Sequence, residues 1–136
     1  LARPRAAAST ASTGALASGP RSVAPHPCVA DDTTLCLFDG RFEARVIWKT
    51  GGNGSGHPFP FHLTDGGGFW FFSPDNPELM LQVQDVRHDT GHFWIFRGGL
   101  STVEYTLLVT DTVTGVQKLF FHPPGNLELA VDTDTF

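Results

Sequence analysis

In the segment FEARVIWK, Phe42, Ala44, Val46 and Trp48 fall on one side of an extended chain, while Glu43, Arg45 and Lys49 fall on the other. A two-residue period fits a half-buried β-strand and no helix. The period returns in LMLQVQD, with Leu79, Leu81 and Val83 on one face, and in VEYTLLVTD, with Val103, Tyr105, Leu107 and Val109. GGGFWFF (Gly66–Phe72) and HFWIF (His92–Phe96) add aromatic strands. In HPFPFHL, Phe59, Phe61 and Leu63 alternate with Pro60 and His62, and its prolines confine it to a sheet edge. Turn chemistry separates these runs: the flexible Gly51–Gly56 loop, Ser73-Pro74-Asp75-Asn76, and a hairpin at Asp111–Gly115 with Gly115 at positive φ. QKLFFH pairs across that hairpin, and a last strand runs from Leu127 to Val131. About eight or nine short strands, with no long helical period, predict an all-β antiparallel β-sandwich, immunoglobulin-like or a related Greek key.

The chain divides at Cys28. Residues 1–27 hold no aromatic residue, and AAASTASTGALASG, Ala6 to Gly19, has Leu16 as its one large apolar side chain. Such a stretch buries too little apolar surface to offset the entropy of ordering it alone. It reads as an extended low-complexity N-terminal tail, residues 1–27, preceding a β-sandwich domain, residues 28–136. Arg3, Arg5 and Arg21 make the tail basic, whereas the remainder sets six Lys and Arg against 14 Asp and Glu. Opposite charges favour docking of the tail, on its own domain or on another copy. An acidic body poor in Lys argues against nucleic acid as a partner.

Cys28 and Cys36 are the only cysteines. In a Lys-poor, Gly- and Thr-rich chain they read as a disulfide, with two reduced core thiols, or a zinc pair completed by His26, as alternatives. The first residue is Leu1 rather than Met, which fits a processed or trimmed form, and export through a removed signal would fit the disulfide. No run of 18 apolar residues is present, so no membrane span is expected. These signs point to an extracellular, secreted location.

CVADDTTLCL, RFEARVIW, FWFFSPDNPEL, GHFWIF, VEYTLLVTDTVTG and HPPGNL together resemble a family of uncharacterised bacterial secreted domains. The resemblance runs from Cys28 to about Phe136 and leaves the tail outside. It implies a module, often repeated or attached to other exported proteins, and brings no catalytic residues with it.

Catalytic signals are poor: there is no Gly-x-Ser-x-Gly elbow, no HExxH and no phosphate-binding loop before a helix, so no enzyme is expected. Asp31, Asp32, Asp65, Asp75, Asn76, Asp85 and Asp89 lie in or beside loops, where turn formation and solubility account for most of them. No cofactor is expected, calcium held by such oxygens being the one alternative. His88 and His92 are four apart but not on a helix, so they need not share a face. Asn53-Gly54-Ser55 is formally a glycosylation sequon, read here as turn chemistry, and the tail Ser and Thr are candidates for O-linked sugars. Trp70, Phe72, Trp94 and Phe96 are expected to fill the core or cover one sheet; alternatively Trp70 and Trp94 belong to an exposed contact surface, for a subunit or a glycan.

Fully extended, 27 residues reach about 90 Å, while the body is about 35 Å across. The tail can therefore reach a neighbour and add a strand to an exposed edge. Leu1, Leu16 and Val23 are its candidate anchors; Phe59, Phe61 and Leu63, or Leu127 and Leu129 of the last strand, form the candidate acceptor edge. A head-to-tail contact of this kind does not close and makes a filament of copies of the chain. The expected function is thus an extracellular structural subunit that self-assembles through its N-terminal extension. A secreted carbohydrate-binding or adhesive module, or an accessory domain of an exported enzyme, are the alternatives.

Overall fold

A computed structural model describes residues 20–136; the expectations attached to Leu1 and Leu16 lie outside the described residues. The described chain is all-β, with two antiparallel sheets and one four-residue helix. The first sheet contains β1 (Pro20–Ser22), β2 (Leu35–Leu37), β3 (Phe42–Lys49), β4 (Asn53–Ser55), β9 (Glu104–Asp111) and β10 (Val116–His122). Its order is β1-β10-β9-β3-β2, with β4 also on β3. The second contains β5 (His57–Pro58), β6 (Gly66–Trp70), β7 (Leu79–Val86), β8 (His92–Gly99) and β11 (Glu128–Asp132), in the order β11-β8-β7-β6-β5. The helix α1 (Arg87–Thr90) turns the chain between β7 and β8.

The inner faces of the two sheets meet in one core. Phe42, Ala44 and Val46 of β3 and Tyr105, Leu107 and Val109 of β9 pack toward Leu79, Leu81 and Val83 of β7 and Phe93 and Ile95 of β8. Each Val, Leu, Ile or Phe side chain among them contributes about 1.5–3 kcal/mol through removal from water. Phe38, Phe42, Phe93 and Phe136 form an edge-on aromatic cluster at one end. Phe38 and Asp39 hold left-handed φ values of 58° and 55°, followed by Gly40 at 84°. That costly turn is held by the Phe38 ring and by the Phe38 amide donating to the Thr64 carbonyl at 2.6 Å.

Several sequence expectations change. The Gly51–Gly56 loop is a hairpin in which Asn53–Ser55 pairs with Ile47–Lys49. Within the aromatic strands the core takes Phe69, Phe71 and Phe93, while Phe72 is exposed and Trp70, Trp94 and Phe96 are half-buried. Both alternations of these strands are aromatic, and Leu79, Leu81 and Val83 across from them decide which side turns inward. The sheet also begins before Cys28. Pro20, Arg21 and Ser22 pair with Lys118, Gln117 and Val116 of the same chain.

Residues 20–28 therefore form a strap on the first sheet. The Val23 amide donates to the Gly115 carbonyl at 2.8 Å, and the His26 amide to that of Thr112 at 3.1 Å. Arg21 Nε donates to Gln117 Oε1 at 2.7 Å, and His26 Nε2 lies 3.4 Å from the Glu43 carboxylate. The strap ends at the Cys28–Cys36 disulfide, which ties it to β2. Among the described residues no helix is long and apolar enough to cross a membrane.

Candidate docking groove

The outer face of the second sheet carries a groove of about 650 Å³. Strand register explains its shape. One cross-strand row runs Leu129, Gly98, Met80, Gly68, and the Phe59 amide continues it by donating to the Gly68 carbonyl at 3.0 Å. The next row runs Val131, Phe96, Gln82, Gly66, continued by the Leu63 amide donating to the Gly66 carbonyl at 2.8 Å. Glycines at 66, 68 and 98 remove the side chains that would fill the floor, leaving Met80, Gln82 and Phe96 between them.

The glycines are not equivalent. A Cβ at Gly68 would lie 2.6 Å from Met80 Sδ and 3.0 Å from the Leu79 carbonyl oxygen, so only glycine fits without a shift. At Gly98 the one neighbour is Leu129 Cδ1 at 3.9 Å, so a side chain there would stand free in the groove. Glycine inside a strand commonly marks a close approach of another group.

The walls come from residues that sequence analysis named as an acceptor edge. Phe59, Phe61 and Leu63 line one side and Leu129 the other. Phe61 is 82 % exposed and Leu129 88 %, high values for large apolar side chains. The Pro58–Leu63 stretch does follow the sheet edge, but only His57–Pro58 is regular strand, because residues 60–62 bulge away between the two main-chain bonds. Leu127 is exposed just before β11 and does not line the groove. Val23 lies in the strap, partly exposed.

Trp70 and Trp94 are not brought together. Phe69 pairs with Leu79, which puts Trp70 past the start of β7, while Trp94 pairs with Gln84. The two are separated by at least five strand residues, about 17 Å. The Trp70 and His57 rings lie tilted by 30° with centroids 4.4 Å apart, and Trp94 meets Phe96 edge-on at 6.3 Å.

Charge stands at the margins. Asp65, His62 and Arg97 reach the groove, Arg97 from the inner side, where its guanidinium lies 3.5 Å from Glu128 and over the Phe120 ring. Among the described residues no three His, Cys, Asp or Glu side chains come together as a metal-binding group. The loop carboxylates have local duties instead: Asp31 accepts from the Thr33 amide at 3.0 Å, and Asp85 accepts two hydrogen bonds from the Arg87 side chain. Those bonds hold the Asp85 carboxyl down at about 2.

Sequence reasoning found the walls and missed the floor. The available signal was Gly66-Gly67-Gly68 inside an aromatic strand and Gly98-Gly99 ending another. No protein-family model, curated protein or solved structure matches the chain.

Proposed function

We propose that this chain is a non-enzymatic, extracellular structural subunit that assembles with copies of itself into a filament. Its N-terminal extension docks in the groove on a neighbouring subunit's second sheet. The observation that carries the reading is the groove itself: an apolar, glycine-floored channel whose walls, Phe59, Phe61, Leu63 and Leu129, come from both edges of one sheet. Apolar surface of this extent, rimmed by polar groups, is a feature of protein contacts. The Cys28–Cys36 disulfide supports an oxidising, extracellular setting. Pairing of β3 with β9 and of β8 with β11, strands distant in sequence, supports an immunoglobulin-like or related Greek-key arrangement.

Small side chains suit a segment that must lie close to a glycine floor. Residues 1–19 are rich in Ala, Ser and Thr, with Leu1 and Leu16 as apolar anchors. Arg3 and Arg5 suit an acidic acceptor.

Electron microscopy and sedimentation of the intact chain beside a version lacking residues 1–19 test the reading. The cut leaves the strap in place. Fibres from the intact chain and a folded monomer from the shortened one are expected. Two monomers would end the assembly reading and make glycan binding the next assay.

A further inference from the structure

The molecule has a second apolar face. On the outer side of the first sheet, Phe121, Thr106 and Ile47 form one cross-strand row, and Leu119, Leu108 and Arg45 the next. Ile47 is 59 % exposed and Phe121 49 %. No glycine interrupts these rows, so the face is a ridge, whereas the outer face of the second sheet is a groove floored by glycines. The strap covers only the adjacent row, through His26 at Glu43 and Arg21 at Gln117.

We infer that this ridge is the second half of the assembly joint, and that its occupant is the groove-bearing face of the next copy. The inference rests on the assembly reading above. Two features favour a second copy over an unrelated partner. The first is where the chain beyond the described residues starts: Pro20 lies on β1, the edge strand beside β10, which carries Leu119 and Phe121. A neighbour seated on the ridge thus meets the extension where it emerges. Nineteen residues span at most about 60 Å, against about 20 Å for the width of a five-stranded sheet. The second is charge at the rim: Arg45, its side chain 54 % exposed although 3.5 Å from Glu43, stands within the ridge, and Asp65 lies at the groove, where Arg97 is turned inward to Glu128.

Ridge and groove are on opposite outer faces of one molecule. A contact between them is heterologous, so each copy added presents a fresh face and the assembly does not close.

The test uses the full chain in two forms: a ridge variant, Ile47→Lys with Phe121→Lys, and a groove variant, Gly98→Phe. Cooperative thermal unfolding checks that each is folded; Ile47→Lys alone replaces the pair if it is not. In sedimentation velocity, each variant alone requires more than tenfold higher concentration to assemble than the unaltered chain. An equimolar mixture gives a discrete dimer, because the ridge variant keeps a groove and the groove variant keeps a ridge. A ridge variant that polymerises like the unaltered chain overturns the inference and leaves the extension as sole joint. Failure of the unaltered chain to assemble removes the assembly reading, and this inference with it.

Discussion

Lys118 Nζ meets Asp132 Oδ2 at 2.6 Å and ties β10 of the first sheet to β11 of the second. Asp132 is nearly buried and also accepts from the Thr135 amide at 3.0 Å and the Thr135 hydroxyl at 2.8 Å. Lys118 keeps 23 % of its side chain in solvent, so the pair is only partly dry. Replacing Asp132 with Ala strands the ammonium and frees the Thr135 turn. A loss of about 2 kcal/mol in urea unfolding is expected, less than breaking a fully buried pair costs, because water still reaches Lys118. An unchanged midpoint would show that the sheets do not depend on this tie.

Asp132 and a second buried carboxylate, Asp111, set the response to acid. Burial pushes the Asp132 carboxyl up, but hydrogen bonds from Lys118 and Thr135 outweigh it and hold the group below its usual range. Asp111 behaves alike: burial opposes the charge, and Arg41 with the Val113 and Thr114 amides overcomes it. A lowered folded-state pKa stabilises above the unfolded value and is lost as pH falls through the folded one. The melting temperature should therefore hold level, as far as these groups decide it, from pH 8 to about 5 and drop below about 4. A melting temperature that rises as the pH falls below about 5 would contradict the assignment.

The single tyrosine provides a clean optical reporter. Burial pushes the Tyr105 phenol up to about 12, with the Glu128 carboxylate adding to the shift. Tyrosinate absorbance should stay silent in the native protein through pH 11 and appear near pH 10 in guanidinium. Native absorbance at pH 10 would mean that the interface around Tyr105 admits water.

Gly115 holds a φ of +80°, and a Cβ there would run into the Val23 carbonyl oxygen. Ala at this position costs about 1–2 kcal/mol in the left-handed region alone and also pushes the strap off its hairpin. Trypsin cleavage after Arg21, which sits in β1, should accelerate at least tenfold. Equal cleavage rates would mean that the strap contributes nothing to protection.

His26 gives the strap a pH dependence. Its pKa is raised by the Ala24 carbonyl first and then by Glu43. A raised value means that protonation favours the docked strap: the contribution is full below the unfolded value of 6.5 and lost as pH rises through the folded one. NMR titration should put His26 above 6.5, with Glu43→Gln lowering it.

The strands with one apolar alternation were legible in the sequence: Phe42, Ala44 and Val46, or Leu79, Leu81 and Val83, turn inward as their period demands. Phe69–Phe72 and Phe93–Phe96 were legible as strands but not as to side, since aromatic residues occupy both alternations. Pro20–Ser22 carries no strand pattern: three exposed residues become a strand only because β10 offers them an edge. Glu43 reads as a solvent-facing charge on alternation and is buried because the strap and His26 cover it. Of the groove, Phe59, Phe61, Leu63 and Leu129 were visible as apolar residues near edges. Their meeting across three strands depends on register, which no local pattern carries.

The strap also bears on what kind of association the chain can undergo. An uncovered β10 would present a row of unpaired amides and carbonyls beside Leu119 and Phe121, a template for indiscriminate strand addition. Pro20–Ser22 occupies half of that row with the chain's own backbone. A protein cut at Cys28 should thus precipitate amorphously where one cut at Pro20 stays dispersed. The eight residues between those cuts, Pro20 to Pro27, separate a dispersed protein from an aggregating one.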